Sequence, residues 1–541
     1  MKPFHSLKAS RTAIRLSTAG LAAALLATAA VSPLRAETPA DTFVMAKDIS
    51  DTITLDPAEV FEYTGGEIIA QLYQRVMWFD PTDMSELICG VCSTYEVAED
   101  GKSITFEIRE GQTFESGNPV TPEDVAYSLQ RVIKLNKTPS FIFSQFGWTA
   151  ENVDDAVSVV DGKVVVRILE EFSPALVLNA LSAGVGSVVD MKEVESHAVD
   201  GDMGYGWLKN DSAGSGPFSL QTWKANELFM LNANADYIDG APAMKRVIVR
   251  HVAEPAAQRL LIEKGDVDAA RDLTPDMIAA LESNEEVKVQ VDAKASTPYL
   301  AGNQADPILS DPKVMEAIRY AIDYTGMADS FLKGQYQVHQ AAWPKGMWAG
   351  YPDTPYSLDL EKAKALLEEA GYGDGFEVRM DTLNSNPYPE IAQSIQATLS
   401  QIGIKAEITT AEGKTLWPMY RAQKHQLILA QWSPDYTDPH SNLDSFAHNP
   451  DNRPEAKLTG KLAWRNAWAD DEMNQMVVDA RNEVDVAKRK QMYLDIQEKL
   501  MHEGPYAIMF QEIEQAVLRA GVEGYVSGPT FDLIFYRSIT K

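Results

Sequence analysis

With 541 residues, 45% of them apolar, the chain is too long for one simple core and has apolar residues enough for two or more. Its 78 acids outnumber 48 Lys and Arg, for a formal net charge of −30. Such a surface repels phosphate backbones and anionic lipid, which argues against nucleic acid and membrane surfaces as partners and favours cationic or zwitterionic ligands.

The first 36 residues read as a secretory signal peptide. Lys2, Lys8, Arg11 and Arg15 form a positive start, Leu21 to Val31 an apolar run, and Pro33-Leu34-Arg35-Ala36 ends on a small residue suited to cleavage. The run is too short to span a bilayer comfortably. No two arginines stand together and no Cys lies near the cleavage point, which points to general (Sec) export of a protein that is not a lipoprotein. A soluble protein of a Gram-negative periplasm is expected.

From Thr42 the chain alternates strands and helices. Thr42 to Ala46 reads as a strand, Thr54-Leu55-Asp56-Pro57 as a turn, and Gly66 to Val76 as a helix with Ile69, Leu72 and Val76 on one face. Cys89-Gly-Val-Cys92 lacks the setting of a redox motif and the further ligands of a zinc site, so a structural pair, disulfide-bonded or buried, is expected. Tyr95 to Ile108 predicts a hairpin around Glu99-Asp100-Gly101, and Val157 to Ile168 a second around Asp161-Gly162. Thr121-Pro122-Glu123-Asp124 is a capped helix start with Pro at the first position.

Gly214 and Gly216 sit in Ser212-Ala-Gly-Ser-Gly-Pro-Phe218. No Lys-Ser/Thr follows and the next element is a strand, Phe218 to Trp223, so this is a tight turn and no phosphate loop. A strand over 245–252 and helices over 255–264, from Thr274 and from Asp311 follow. Ser357 is expected to cap a helix over 360–370 that closes on Gly371. Phe376–Met380, Glu390–Gln401 and Gly403–Thr409 form a strand–helix–strand unit typical of a mostly parallel sheet. Leu427 to Ala430 adds a buried strand, 470–502 one long amphipathic helix or two, and Tyr506 to Phe510 with Ala516 to Leu518 the returning strands.

Catalytic patterns are absent from the sequence. There is no Gly-x-Ser-x-Gly elbow, and Gly504-Pro505 breaks the helix that a zinc protease would need after His502-Glu503. Neither an enzyme nor a cofactor or metal centre is expected; a secreted hydrolase stands only as a remote alternative. The informative stretch is Leu427 to His440. Asp438-Pro439 there is an N-cap and first helical residue. Trp432, Asp435 and Tyr436 instead place aromatic faces beside a carboxylate at a strand end, a setting for a ligand with one cationic group.

Several segments together resemble one family, the extracellular solute-binding proteins of peptide-type (peptide/nickel) ABC importers. They are Leu55-Asp56-Pro57 with the helix from Ile68 to Val76, Asp100 to Phe114 with Ser116-Gly117 and Thr121 to Leu129, Gly214 to Phe218 with Trp223, Asp236-Tyr237, Gly265-Asp-Val-Asp268, and Asp311 to Asp323. Glu115 stands where His is common. The resemblance implies an α/β, two-lobed periplasmic binding protein of type II, with an extra N-terminal subdomain and a ligand cleft between the lobes. Lobe I would comprise 37–79, 210–296 and 504–541, its extra subdomain 80–209, and lobe II 297–503.

The resemblance also implies a role. The expected function is a monomeric periplasmic receptor that hands peptides to a membrane permease driven by separate ATPase subunits. The alternative is a non-peptide solute: an oligosaccharide, an opine-like conjugate or a metal complex. Trp432-Ser-Pro-Asp435-Tyr436-Thr-Asp-Pro439 matches the family loop whose Asp holds a peptide's α-ammonium. Phe61 and Tyr63 fall where the first lobe lines the cleft, and Trp417 and Arg421 near second-lobe cleft positions. Gln145 and Phe146, in a polar-aromatic loop, complete the candidate ligand contacts. Dipeptide-selective members carry an Arg just before an Asn-Pro-rich turn; Thr382 and Leu383 stand there instead, which favours longer peptides.

Overall fold

The computed structural model describes residues 38–80 and 83–541; the expected signal peptide lies outside the described residues. Residues 37–541 form one compact unit. Within it two sheets dominate. The larger runs Val287–Ala293, Phe510–Arg519, Ala269–Ala270, Thr42–Lys47, Arg246–His251, Leu228–Ala233 and Phe218–Lys224, with Tyr336–Val338 also paired to Phe510–Arg519. All six residues of Thr42–Lys47 are buried, as befits a strand central to a sheet covered on both faces. The second sheet runs Ile404–Ala411, Phe376–Leu383, Leu427–Trp432, Thr297–Gly302 and Tyr506–Ile508. Its first three strands are parallel, and helix Tyr388–Gln401 makes the crossover between the first two.

A third, four-stranded sheet is antiparallel: Cys92–Val97, Ser103–Ile108, Lys163–Arg167 and Val157–Val160. These are the two expected hairpins side by side, and helix Pro122–Leu135 covers them with Val125, Leu129 and Val132. That helix starts in a complete capping box: Asp124 N–H donates to Thr121 Oγ1, and Thr121 N–H to Asp124 Oδ2 at 2.9 Å. Cys89 and Cys92 are joined by a disulfide.

Two local expectations need correction. The helix after Leu55-Asp56-Pro57 spans Tyr63–Leu72 and stops before Val76, because Tyr73 leaves it in an extended conformation. Its end is where the Gly-rich turn docks: Gly216 N–H donates to Leu72 O at 2.9 Å. A Cβ on Gly214 would sit 1.9 Å from the same oxygen, so only glycine permits the approach. The cap of helix Leu360–Glu369 is Asp359, not Ser357; the Asp359 carboxylate accepts from Lys362 N–H at 2.9 Å.

The two large sheets communicate through two strand crossings. Lys294–Ser296 joins Val287–Ala293 to Thr297–Gly302, and Met509 joins Tyr506–Ile508 to Phe510–Arg519. The crossings bond to each other: Lys294 N–H donates to Glu512 O at 2.8 Å, and Glu512 N–H to Ser296 O at 2.9 Å. Both lobes are thus tied by one short ribbon, the arrangement of a hinge.

Candidate functional site

The first-lobe wall is built by Asp56. Its carboxylate is fully buried and receives both arms of the Arg131 guanidinium, at 2.7 and 2.6 Å, while also accepting Ala58 N–H. This bidentate pair fastens the turn to the helix of the extra subdomain and so aims residues 59–63 at the second lobe. Phe61 is one-third exposed and stacks edge-on against Phe141, with ring centroids 6.0 Å apart. Tyr63, half exposed, meets Phe531 edge-on at 5.1 Å, and its hydroxyl lies 3.4 Å from Ser433 Oγ of the facing lobe.

The second-lobe wall is the end of strand Leu427–Trp432 and the loop after it. Trp432 pairs with Thr297 across the sheet. Its ring packs edge-on to Phe446 and under the Arg465 guanidinium at 5.6 Å, and its indole N–H is buried without a hydrogen-bond partner among the described residues. Asp438 is the N-cap of helix Pro439–Ala447, accepting from His440 N–H at 2.9 Å, and Arg489 grips its two oxygens at 2.9 and 2.8 Å.

Asp435, three residues earlier, is treated differently. Its N–H donates to Ser441 Oγ at 2.8 Å, which fixes the backbone. The residue keeps a partly open edge, yet its carboxylate accepts no hydrogen bond from the described residues. Desolvation by the surrounding protein pushes its pKa up to about 7; Arg465 pulls it down and Asp444 adds repulsion. Asp444 stays ionised because Lys461 and His448 hold it, despite its own burial.

The remaining expected contacts are placed as follows. Tyr436 is buried in the hydrophobic cluster of the extra subdomain, with Ala58, Val76 and Phe106 among its members, so it binds lobe to lobe. Trp417 and Arg421 sit on helix Gly413–Arg421, which sequence patterning does not reveal because Pro418 interrupts it. Trp417 is half-buried against the second-lobe core and Arg421 is exposed. Phe146 is fully buried against Trp148 and Phe172, and the Gln145 amide donates to Ile142 O at 2.7 Å.

A cavity of about 480 Å³ lies between the lobes. Tyr63, Glu67 and Phe531 line it from one side, Tyr388, Gln431 and Ser433 from the other, and the crossing residues Ser296 and Glu512 form its back. Its volume is that of a small-solute site. Sequence reasoning misses Gln431, Tyr388, Phe531 and Glu512; they enter only through contacts spanning the chain, and no local pattern marks them.

Residues 86–454 match the bacterial extracellular solute-binding proteins, family 5 Middle. The chain belongs to this family. Among curated relatives, the solute-binding protein is 27% identical over 507 residues to the probable D,D-dipeptide-binding periplasmic protein of Escherichia coli (strain K12), covering 92% of this chain and 94% of that one. Two solved structures share its fold. One is the periplasmic binding protein DppA from Helicobacter pylori in complex with peptide STSA, with TM-score 0.76, 21% identity, and coverage of 92% of this chain and 98% of that one. The other is HbpA2 from Haemophilus parasuis, with TM-score 0.78, 22% identity, and coverage of 92% and 99%. The fold is thus that of type II periplasmic binding proteins, and the family is one of binding proteins, not enzymes.

Proposed function

We propose that this solute-binding protein receives peptides in the periplasm and delivers them to an inner-membrane ABC permease powered by separate ATPase subunits. The observation that carries this reading is Asp435, a desolvated carboxylate two residues beyond the cavity-lining Ser433, to which no described residue donates a hydrogen bond. A ligand ammonium arriving there gains a charge-assisted hydrogen bond of about 1.5–3 kcal/mol, strengthened as closure excludes water. Trp432 forms the apolar wall beside it, and Tyr63 with Ser433 closes the lobes over the ligand.

Two of the relatives support a peptide: one is a probable D,D-dipeptide-binding protein and one structure holds the peptide STSA. Others are named for haem, a nickel–histidine complex or mannopinic acid, so a non-peptide solute stays the alternative. The missing arginine bears on peptide length. Thr382 is fully buried and donates to Leu429 O at 3.1 Å, and Arg379 is taken by Asp381 at 2.9 Å and by Lys424 O. No arginine at that turn is left for a dipeptide carboxylate, which favours longer peptides held along the backbone with water filling spare space. The leading residues 1–36, with their positive start and apolar run, support export. Among the described residues no helix is long and apolar enough to cross a membrane.

Native mass spectrometry of the purified mature protein tests the reading directly. A co-purified peptide of three or more residues is expected. A sugar or a metal chelate in its place overturns it.

A further inference from the structure

The charges around the 480 Å³ cavity do not balance. Six carboxylates line it (Asp48, Asp51, Glu67, Asp272, Glu512 and Glu514) against three cations, Lys47, Arg271 and Lys294. All three cations are already spent on two of those acids. Lys47 pairs with Glu67 at 2.7 Å, Arg271 bridges Glu67 at 3.0 Å and Glu514, and Lys294 pairs with Glu514 at 2.7 Å while donating to Gly528 O at 2.8 Å. None of the other four acids forms an ion pair with Lys or Arg among the described residues. Asp51 and Asp272 accept backbone N–H groups, and Asp48 faces His251 at 3.4 Å.

Glu512 differs from the other three because it lies on the crossing strand at the back of the cleft, inside the hinge. Ser296 is its hydrogen-bonding neighbour and Glu514, two residues on, repels it; burial is the largest influence and raises its pKa. Around it stand Tyr63, Tyr336 and Tyr388, whose phenols all sense its charge. Tyr336 is its cross-strand partner, and all three tyrosines line the same cavity. A half-buried carboxylate in such a cavity is an environment that receives an ammonium or guanidinium through a charge-assisted bond.

We propose that Glu512 selects for a second positive charge on the ligand, so that the preferred peptides carry a Lys or Arg side chain in addition to the α-ammonium at Asp435. This rests on the peptide reading above. The alternative occupant of the space, a neutral side chain, would leave the Glu512 carboxylate buried and unpaired when the lobes close.

Isothermal titration of the mature protein with Ala-Lys-Ala, Ala-Gln-Ala and Ala-Glu-Ala tests the proposal. The Lys peptide is expected to bind at least about tenfold tighter than the Gln peptide, with the Glu peptide weakest. In Glu512→Gln the Lys-to-Gln ratio is expected to fall to about one. Equal affinities in the native protein, or a preference that survives Glu512→Gln, overturns it. Binding of none of the three peptides counts against the peptide reading instead. Glu512 is then judged with agmatine and spermidine: a melting shift in the native protein that disappears in Glu512→Gln upholds the cation site, and no shift with either refutes it.

Discussion

Asp435 and Asp438 stand three residues apart on one loop, and the structure uses them in opposite ways. Asp438 is buried and neutralised from within by both arms of Arg489 and by the amide of His440. The Asp435 carboxylate accepts no hydrogen bond from the described residues, and desolvation, only partly offset by Arg465, drives its pKa upward. Asp56 and Glu512 repeat the contrast: Asp56 is locked to Arg131, whereas Glu512, at the back of the cleft, forms no ion pair among the described residues and feels Lys294 only as a minor attraction. Carboxylates that the chain neutralises position the cleft walls. Those it leaves uncompensated are where an outside cation gains most, because much of the water has already been removed and no internal partner must be displaced.

Breaking an internally paired acid has the largest expected effect. Asp438→Ala leaves Arg489 buried and unpaired, a cost of about 3–5 kcal/mol, so the urea midpoint of the ligand-free protein falls well below that of the native chain. An unchanged midpoint removes the contrast altogether. A covalent tie away from the ligand loop gives the next effect. Replacing Cys89 and Cys92 together by Ser releases a very short loop, worth roughly 2 kcal/mol by loop-closure entropy. Stability falls and peptide affinity stays, which separates scaffold from site in the same assay.

Asp435→Ala reverses that pattern. Peptide affinity weakens at least about tenfold, roughly 1.4 kcal/mol, while the melting temperature of the ligand-free protein stays level or rises, since an unpaired, desolvated carboxyl has been removed. The same residue sets a pH dependence whose sign follows from its raised pKa. Between the ordinary value of 3.8 and about 7 the folded protein carries a proton there that the unfolded chain lacks. Its contribution to stability is therefore greatest below that window and declines as pH rises to 7. Binding an ammonium requires the ionised form, so affinity increases from pH 5 toward 7 and proton release accompanies binding. Titrations at several pH values that show no such slope, or the same slope in Asp435→Ala, exclude Asp435 as the acceptor.

Much of this architecture is legible in the sequence, for identifiable reasons. Thr121 with Asp124, the turn at Asp161-Gly162 and the Pro255–Lys264 helix ended by Gly265 are set by neighbours within a few residues, and all appear where patterning places them. Asp438 is a helix cap in sequence and structure alike, yet its bond to Arg489, 51 residues on, leaves no local trace. The burial of Tyr436 has the same kind of cause: an aromatic beside a candidate acid looks like a ligand wall, and only the arrival of the extra subdomain packs it into a hydrophobic cluster. Phe146 is core and the Gln145 amide is bonded to Ile142 O, neither of which a polar-aromatic loop reveals in sequence. Glu512 is silent in the sequence, since a glutamate in an amphipathic strand is ordinary until residues 63, 336 and 388 gather around it.

The smallest effect is expected where the two walls touch. Tyr63 OH and Ser433 Oγ, 3.4 Å apart, form a long and therefore weak hydrogen bond that exists only when the lobes are together. Tyr63→Phe removes that bond and keeps the edge-on contact with Phe531. A loss of about 0.5 kcal/mol, little more than twofold in affinity, follows. Because the bond belongs to closure and not to the ligand, the loss should be the same for every peptide tested and should add to that of Asp435→Ala. A loss that depends on the peptide's first side chain would instead make the Tyr63 hydroxyl a ligand contact, and the first-lobe wall would then share in recognition as well as in closing the cleft.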